Sequence, residues 1–354
     1  MRAVTIEPER KDSLTVSELP DPTPGEDDLL VEGIAVGVCG TDREIVTGEY
    51  GAAPPGRDRL VLGHESFGRV RRAPHGSGFS PGDLVAGVVR RPDPEPCGAC
   101  ARGQFDMCRN GRYTERGIKE RDGYAAQLWT VEAAYAVPLD ARLADVGVLL
   151  EPTSVVAKAW DEIERIGGRA WFEPRRVLVT GAGPIGLLGA LLGAQRGLDV
   201  HVLDQVTDGP KPALVEDLGA TYHTDTIDRV LDAVRPDIVL EATGAGPLVL
   251  GALAGAGAYG VVCLTGVSTP GRDLTVDAGG VNRALVLGNG AVVGSVNART
   301  DHYRRAADAL GAADAGWLGR LITRRVPLDR APEAYGGKHP DDVKVVVTLD
   351  GPDA

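Results

Sequence analysis

A strand, a tight glycine turn and the start of a helix run together at 177–188, as Val177-Leu178-Val179-Thr180-Gly181-Ala182-Gly183-Pro184-Ile185-Gly186-Leu187-Leu188. The first glycine of such a turn lets the chain reverse. The second lets backbone N–H groups approach a pyrophosphate, and the third lets the helix pack close on the strand, whose neighbouring helix N-terminus favours the phosphate charge. Gly181, Gly183, Pro184, Ile185 and Gly186 are therefore candidate dinucleotide-binding residues. In a chain with 48 glycines the pattern alone is weak. Its context strengthens it, because Asp204 closes the next apolar run, His201-Val202-Leu203, where an acid would bind ribose hydroxyls. Asp204 is followed by Gln205 and Val206, not by arginine, which favours NAD over NADP. Lys211, further on, could rescue binding of a 2′-phosphate.

Apolar runs at 177–180, 200–203, 238–240, 261–264 and 291–293 alternate with helical stretches, as in a parallel, doubly wound α/β sheet. Ligands bind at the carboxyl ends of such strands. Thr243, Gly266 and Val267 fall at those ends and are expected near a nicotinamide; each fits an ordinary strand-to-loop turn about as well. The first 150 residues read differently. Short apolar runs at 29–31, 60–62, 68–70 and 84–89 are broken by Gly and Pro turns, which predicts a small, irregular barrel. Helical spacing spans 152–166 and ends at Gly167-Gly168. After Asn297 a helix is expected at 302–310, and a strand at 343–349 that returns to the first sheet.

Metal-binding residue types gather in the first part. Cys39 precedes Gly40-Thr41-Asp42, and His64 and Glu65 follow Leu60-Val61-Leu62-Gly63. Thiolate, imidazole and carboxylate suit a catalytic zinc that keeps a position open. Glu151 opens the connecting helix and is either a ligand, an acid beside the zinc, or a charge that complements the helix dipole. A second cluster, Cys97-x2-Cys100-x7-Cys108, suits a closed structural zinc, with Asp93 as the nearest upstream fourth ligand. A loop that has lost its metal fits the three cysteines as well. Cys263 lies in a strand and reads as core.

A net charge of −12 and a pI of about 5.1 argue against nucleic acid or an anionic membrane surface as partner. No apolar stretch is long enough to span a bilayer, and Met1-Arg2-Ala3-Val4-Thr5-Ile6 reads as a strand, not a signal. A cytoplasmic location is expected.

Taken with Val38-Cys39-Gly40-Thr41-Asp42, Gly63-His64-Glu65, Pro81-Gly82-Asp83 and Glu241-Ala242-Thr243-Gly244, the chain resembles zinc-dependent medium-chain dehydrogenases. Tyr113-Thr114-Glu115-Arg116-Gly117-Ile118, Asp122-Gly123-Tyr124, Leu150-Glu151-Pro152 and Gly294-Ser295-Val296-Asn297 with His302 are similar to the glucose dehydrogenase branch. The resemblance implies a GroES-like catalytic domain over 1–158 and 298–354 and a Rossmann domain over 159–297. It implies zinc on Cys39 and His64, completed by Glu65 or Glu151, and sugar hydroxyls on Glu115, Glu151 and Asn297; Asn297 also lies where cofactor contacts are expected. Thr41 would relay a proton to Asp42, Glu65 or Glu151. The implied reaction is NAD(P)-dependent oxidation of glucose or a related aldose to its lactone. The alternative is a polyol, aminocyclitol or modified sugar with the same chemistry. Relatives of this kind assemble as homodimers or homotetramers, and the 258–264 and 286–293 segments are candidate sheet edges for such pairing.

The chain departs from that pattern at two further places. Pro94 stands where the structural zinc loop has its first cysteine, and Arg299 follows the Asn297 segment, where a guanidinium would favour an anionic substrate or else face solvent.

Overall fold

The chain divides into two compact units, Met1–Ser154 with Asn297–Ala354, and Val155–Val296. The computed structural model describes residues 1–268, 271, 273–337 and 339–349. The first unit is built on the strand Asp28–Val38, whose residues alternate between half-buried and buried positions before ending in a fully buried Val-Gly-Val run. Glu65–Arg72, Leu128–Glu132 and Lys344–Thr348 all pair antiparallel with it. The expected terminal strand is thus present, and Val345 and Val347 share a buried cluster with Val4, Ile6, Val36 and Val38. Burying such side chains contributes roughly 1.5–3 kcal/mol each, so the two ends of the chain hold one core together. The parallel partner of the terminal strand, Ile322–Pro327, has no periodic signal strong enough to be anticipated.

A charged cluster closes one side of this unit. Glu132 accepts from Arg91 Nε and Nη2 at 3.0 and 2.6 Å and from Arg121, while the buried Arg91 guanidinium lies 4.0 Å over the Tyr135 ring. Burial pushes the Glu132 carboxyl up, but these arginines outweigh it and bring it down to about 2.

The second unit carries six strands: β1 (Arg176–Thr180), β2 (Asp199–Leu203), β3 (Thr221–His223), β4 (Ile238–Glu241), β5 (Val261–Leu264) and β6 (Ala291–Gly294). All pair in parallel, in the order β3-β2-β1-β4-β5-β6, which reverses direction at the β1/β4 boundary. One edge expectation needs correction: the 258–264 segment holds an inner strand, β5. The 286–293 segment starts in the helix Ala278–Gly288, but its strand, β6, is an edge of the sheet, the other edge being β3. The five-run sequence pattern also misses β3, whose three residues are too short to show a period. Among the described residues no helix is long and apolar enough to cross a membrane.

The glycine turn after β1 works as its spacing requires. Gly181 has φ +91°, a left-handed conformation, and a Cβ at Gly186 would lie 1.7 Å from the Gly181 carbonyl oxygen. Nothing lies within 4 Å of a Cβ built on Gly183, so that side of the turn is open to a ligand.

Two outcomes follow. Gly186→Val forces the helix Pro184–Gln195 off β1 and should abolish NADH binding, seen as loss of the NADH fluorescence change in protein that still shows native circular dichroism in its β-rich unit. Glu132 has a folded pKa well below its ordinary 4.5, so it stabilises the fold above about pH 5 and that contribution is lost as pH falls toward 2. Glu132→Gln should therefore lower the melting temperature at pH 7 but flatten its fall between pH 5 and 3, and an unchanged slope would remove Glu132 from the acid response.

Candidate active site

Cys39 ends the central strand region and caps the helix Gly40–Val46. Its amide donates to Asp42 Oδ2 at 2.9 Å, which ties the first helical turn back on the cysteine. Asp42 is fully buried, and its other oxygen lies 3.3 Å from His64 Nδ1. This leaves His64 Nε2 facing Cys39 Sγ at 3.0 Å. Cys39, His64 and Glu65 bring their ligand atoms within 4.8 Å of one another. Burial pushes the Asp42 carboxyl up, but His64 and the Cys39 amide more than offset this and hold it below its ordinary value. A carboxylate behind a ligating imidazole fixes its tautomer and direction, so this donor set suits zinc. Thr41 sits half-buried in the same helical turn.

Three neighbours were not legible in the sequence. Lys344, on the terminal strand, is 1% exposed; it pairs with Glu65 Oε2 and donates to the Val38 carbonyl at 3.2 Å. Gly37 makes the space, since a Cβ there would collide with the Glu65 carboxylate. Tyr335 is buried, and burial, reinforced by the charges of Asp42, Cys39 and Glu65, raises its phenol well above the ordinary value. The one available signal was a lysine opening a valine run, Lys344-Val345-Val346-Val347.

Glu151 is buried, but its carboxylate does not join the Cys39–His64–Glu65 cluster. Burial, reinforced by Glu65 and Asp42 and opposed by His64 and Lys344, pushes its carboxyl up to about 7.

Glu115 and Asn297 are brought together. Asn297, at φ +64°, donates from Nδ2 to Glu115 Oε1 at 2.6 Å. Arg90, buried and unforeseen, donates to the same oxygen from Nε at 3.1 Å and Nη2 at 2.9 Å, and stacks 3.6 Å over the Tyr113 ring. These donors leave Glu115 Oε2 for another partner. Arg299 does not offer a free cation: Asp301 and the buried Asp106 lie 3.5 and 3.8 Å from its guanidinium. The expectation of an anion-directed Arg299 is corrected on that ground.

Cys97, Cys100 and Cys108 also converge within 4.8 Å. The Arg109 amide and others lower the Cys97 thiol to about 6, while burial raises Cys100 to about 11. Three thiols so arranged suit a metal. Asp93, the expected fourth ligand, stands outside the cluster: its carboxylate accepts from the Glu95 amide at 2.8 Å and lies 3.4 Å from Arg112 Nε.

In the second unit, a groove of about 630 Å³ is lined by Gly181, Asp204, Gln205, Val206, Thr226 and Thr243 among others. Thr243 is held by Glu241, a fully buried carboxylate that accepts from the amides of Thr243 at 2.8 Å and Gly244 at 3.1 Å. The sequence placed Glu241 only as part of a motif; its role in shaping the turn appears in the structure. Gly266 packs against that turn, so that a Cβ would meet the Gly244 amide at 2.0 Å, and Val267 is 74% exposed beside it. Pro184 and Ile185 form the first helical turn after Gly183.

Comparison with known proteins now decides the family. Residues 144–349 match the family described as "Glucose dehydrogenase C-terminus", and 25–141 match "Alcohol dehydrogenase GroES-like domain". The chain belongs to the glucose dehydrogenase family of zinc-dependent medium-chain dehydrogenases. It is 39% identical to a glucose 1-dehydrogenase of Methanocella arvoryzae and 41% identical to one of Thermoproteus tenax, covering 99% of each chain in both cases. A solved glucose dehydrogenase of Haloferax mediterranei, in complex with NADP, Zn and gluconolactone, superposes with a TM-score of 0.90 at 31% identity, over 99% of this chain and 100% of that one. The family assignment makes the chain an oxidoreductase with GroES-like and Rossmann parts.

Asp42→Asn should weaken zinc binding about 10- to 100-fold, because the imidazole loses its orienting partner. Competition with a chromogenic chelator measures this, and an affinity unchanged within twofold would show that Asp42 does not orient His64.

Proposed function

We propose that this chain oxidises the anomeric hydroxyl of glucose or a close aldose to the lactone. The observation that carries this reading is its end-to-end likeness to glucose 1-dehydrogenases at 39–41% identity. Zinc would be held by Cys39, His64 and Glu65, with Glu151 nearby. When bound, zinc supplies a Lewis acid that lowers a hydroxyl pKa, and the dinucleotide supplies a hydride acceptor.

The chain's own groups divide the remaining work. Glu115 Oε2 accepts a sugar hydroxyl, with Arg90 and Asn297 fixing the carboxylate through its other oxygen. Of the candidate bases, Asp42 is tied to Cys39 and His64, and Glu65 is tied to Lys344. Glu151, with its carboxyl near 7, is matched to taking a proton at neutral pH, with Thr41 as relay. Arg299, already paired with acids, leaves a neutral sugar preferred over an anionic one.

Gly181, Gly183, Pro184, Ile185 and Gly186 would cradle the pyrophosphate, with Thr243, Gly266 and Val267 toward the nicotinamide. We further propose NAD ahead of NADP, since no lysine or arginine is among the residues lining the 630 Å³ groove while Asp204 and Asp225 are. The three-cysteine loop is proposed as a second, structural zinc site without Asp93. Self-association through β6, next to the exposed Val286 and Leu287, and a cytoplasmic setting in which all five cysteines are free, complete the reading.

The test is the initial rate of NAD and NADP reduction with glucose, galactose, xylose, myo-inositol and an aminocyclitol, before and after dialysis against a zinc chelator. Fast reduction with a free aldose, lost on chelation and restored by zinc, is expected. Turnover confined to the cyclitols would replace the substrate, and chelator-resistant turnover would remove the catalytic zinc.

A further inference from the structure

Asp204, which lines the groove that would take the adenosine end of the cofactor, is held in a buried ion pair from behind that lining. Asp204 Oδ2 accepts from Lys211 Nζ at 3.0 Å and from the Ala182 amide at 2.7 Å; Oδ1 accepts from the Val206 amide at 3.0 Å. The two side chains are 12% and 9% exposed, so water screens this pair poorly. The Tyr222 hydroxyl donates to the Val206 carbonyl at 2.6 Å and holds the loop in place. The other acid lining the groove, Asp225, is paired at 3.4 Å with the exposed Arg229. A carboxylate at the end of β2 ordinarily repels a 2′-phosphate. Here that carboxylate carries its own counter-charge, on a helix (Pro210–Glu216) that contributes Lys211 from seven residues downstream.

We propose that Lys211 is a specificity-determining residue for the dinucleotide: by neutralising Asp204 it keeps the groove open to the 2′-phosphate of NADP, so that NADP is accepted beside the preferred NAD. Two features make this charge arrangement sensitive. Asp204 cannot swing away, because three donors hold it. Lys211 is the cation in contact with it, so removing the ammonium leaves a fixed, poorly screened negative charge beside the phosphate. A ribose with a free 2′-hydroxyl would be affected much less, since it can donate to the same carboxylate in either case. The converse also follows: removing the charge of Asp204 frees Lys211 to pair with the phosphate directly.

This inference rests on the dinucleotide reading of the glycine turn, and direct binding separates the two. NADH and NADPH are titrated into the full-length, zinc-loaded protein by fluorescence, without sugar. The wild type should bind both. Lys211→Met should weaken NADPH by about tenfold or more and NADH by less than about threefold. Lys211→Arg should keep the wild-type ratio, and Asp204→Asn should shift the ratio toward NADPH by a similar factor. Melting curves of each variant check that the fold is retained, and if Lys211→Met does not fold, the Asp204→Asn and Lys211→Arg arms decide alone. Parallel losses of both nucleotides in Lys211→Met, an unchanged ratio in Asp204→Asn, or a wild type that binds NADH but not NADPH would overturn the proposal. Failure of the wild type to bind either nucleotide would overturn the dinucleotide reading with it.

Discussion

The candidate metal cluster depends on one buried charge. Asp42, Glu65 and Glu151 are all removed from water in the same unit, and such a concentration of carboxylates cannot stay ionised without compensation. Lys344 provides it for Glu65, by pairing with that carboxylate and anchoring on the Val38 carbonyl, one residue before Cys39, while His64 faces Asp42. The lysine arrives on the last strand of the chain, which the core of valines pulls into the N-terminal sheet. Hydrophobic burial thus delivers the charge, and the charge lets the acids exist together. Breaking such a pair by removing one partner leaves an uncompensated ion, at a cost of about 3–5 kcal/mol, more than the pair itself contributes.

The parts legible in the sequence share a property: their partners are close in the chain. The glycine turn needs only Gly181 to Gly186, and the Cys39–Asp42 tie spans one helical turn. The strands of the second unit, β3 excepted, could be read because each is a continuous apolar run. What escaped was long-range pairing. Arg90 reaches Glu115, Asn297 reaches the same oxygen from far along the chain, and Lys344 reaches Glu65 across nearly the whole sequence. Period and spacing carry no information about such partners. Asp93 shows the opposite error. Proximity in sequence made it a ligand candidate, yet Arg112 and the Glu95 amide already engage its carboxylate.

Side-chain environment also separates chemically equal acids. Glu115 and Glu151 are both buried glutamates that resemblance alone places on a sugar. Glu115 is surrounded by donors, with two nitrogens of Arg90 and the amide of Asn297 converging on one oxygen. Such a carboxylate is held in one direction, a fixed acceptor for a hydroxyl. Among the described residues none brings such donors to Glu151; burial and the neighbouring Glu65 and Asp42 push its carboxyl to about 7. A carboxyl near 7 is matched to exchanging a proton near neutrality. On the proposed reading the same residue type supplies one positioning group and one proton carrier, and the difference lies in what each is packed against.

The same logic governs the charges that sequence reading treats as free. Arg299 and Asp204 both invite a direct electrostatic inference, an anionic substrate in one case and rejection of a phosphate in the other. In the fold neither stands alone. Arg299 lies between Asp106 and Asp301, and Asp204 lies under Lys211. A formal charge acts on a ligand only to the extent that its own neighbours leave it uncompensated, so the pair, not the residue, is the unit that sets specificity. This makes specificity in such a scaffold adjustable from outside the contact surface, because a residue that never touches the ligand can change the charge the ligand meets.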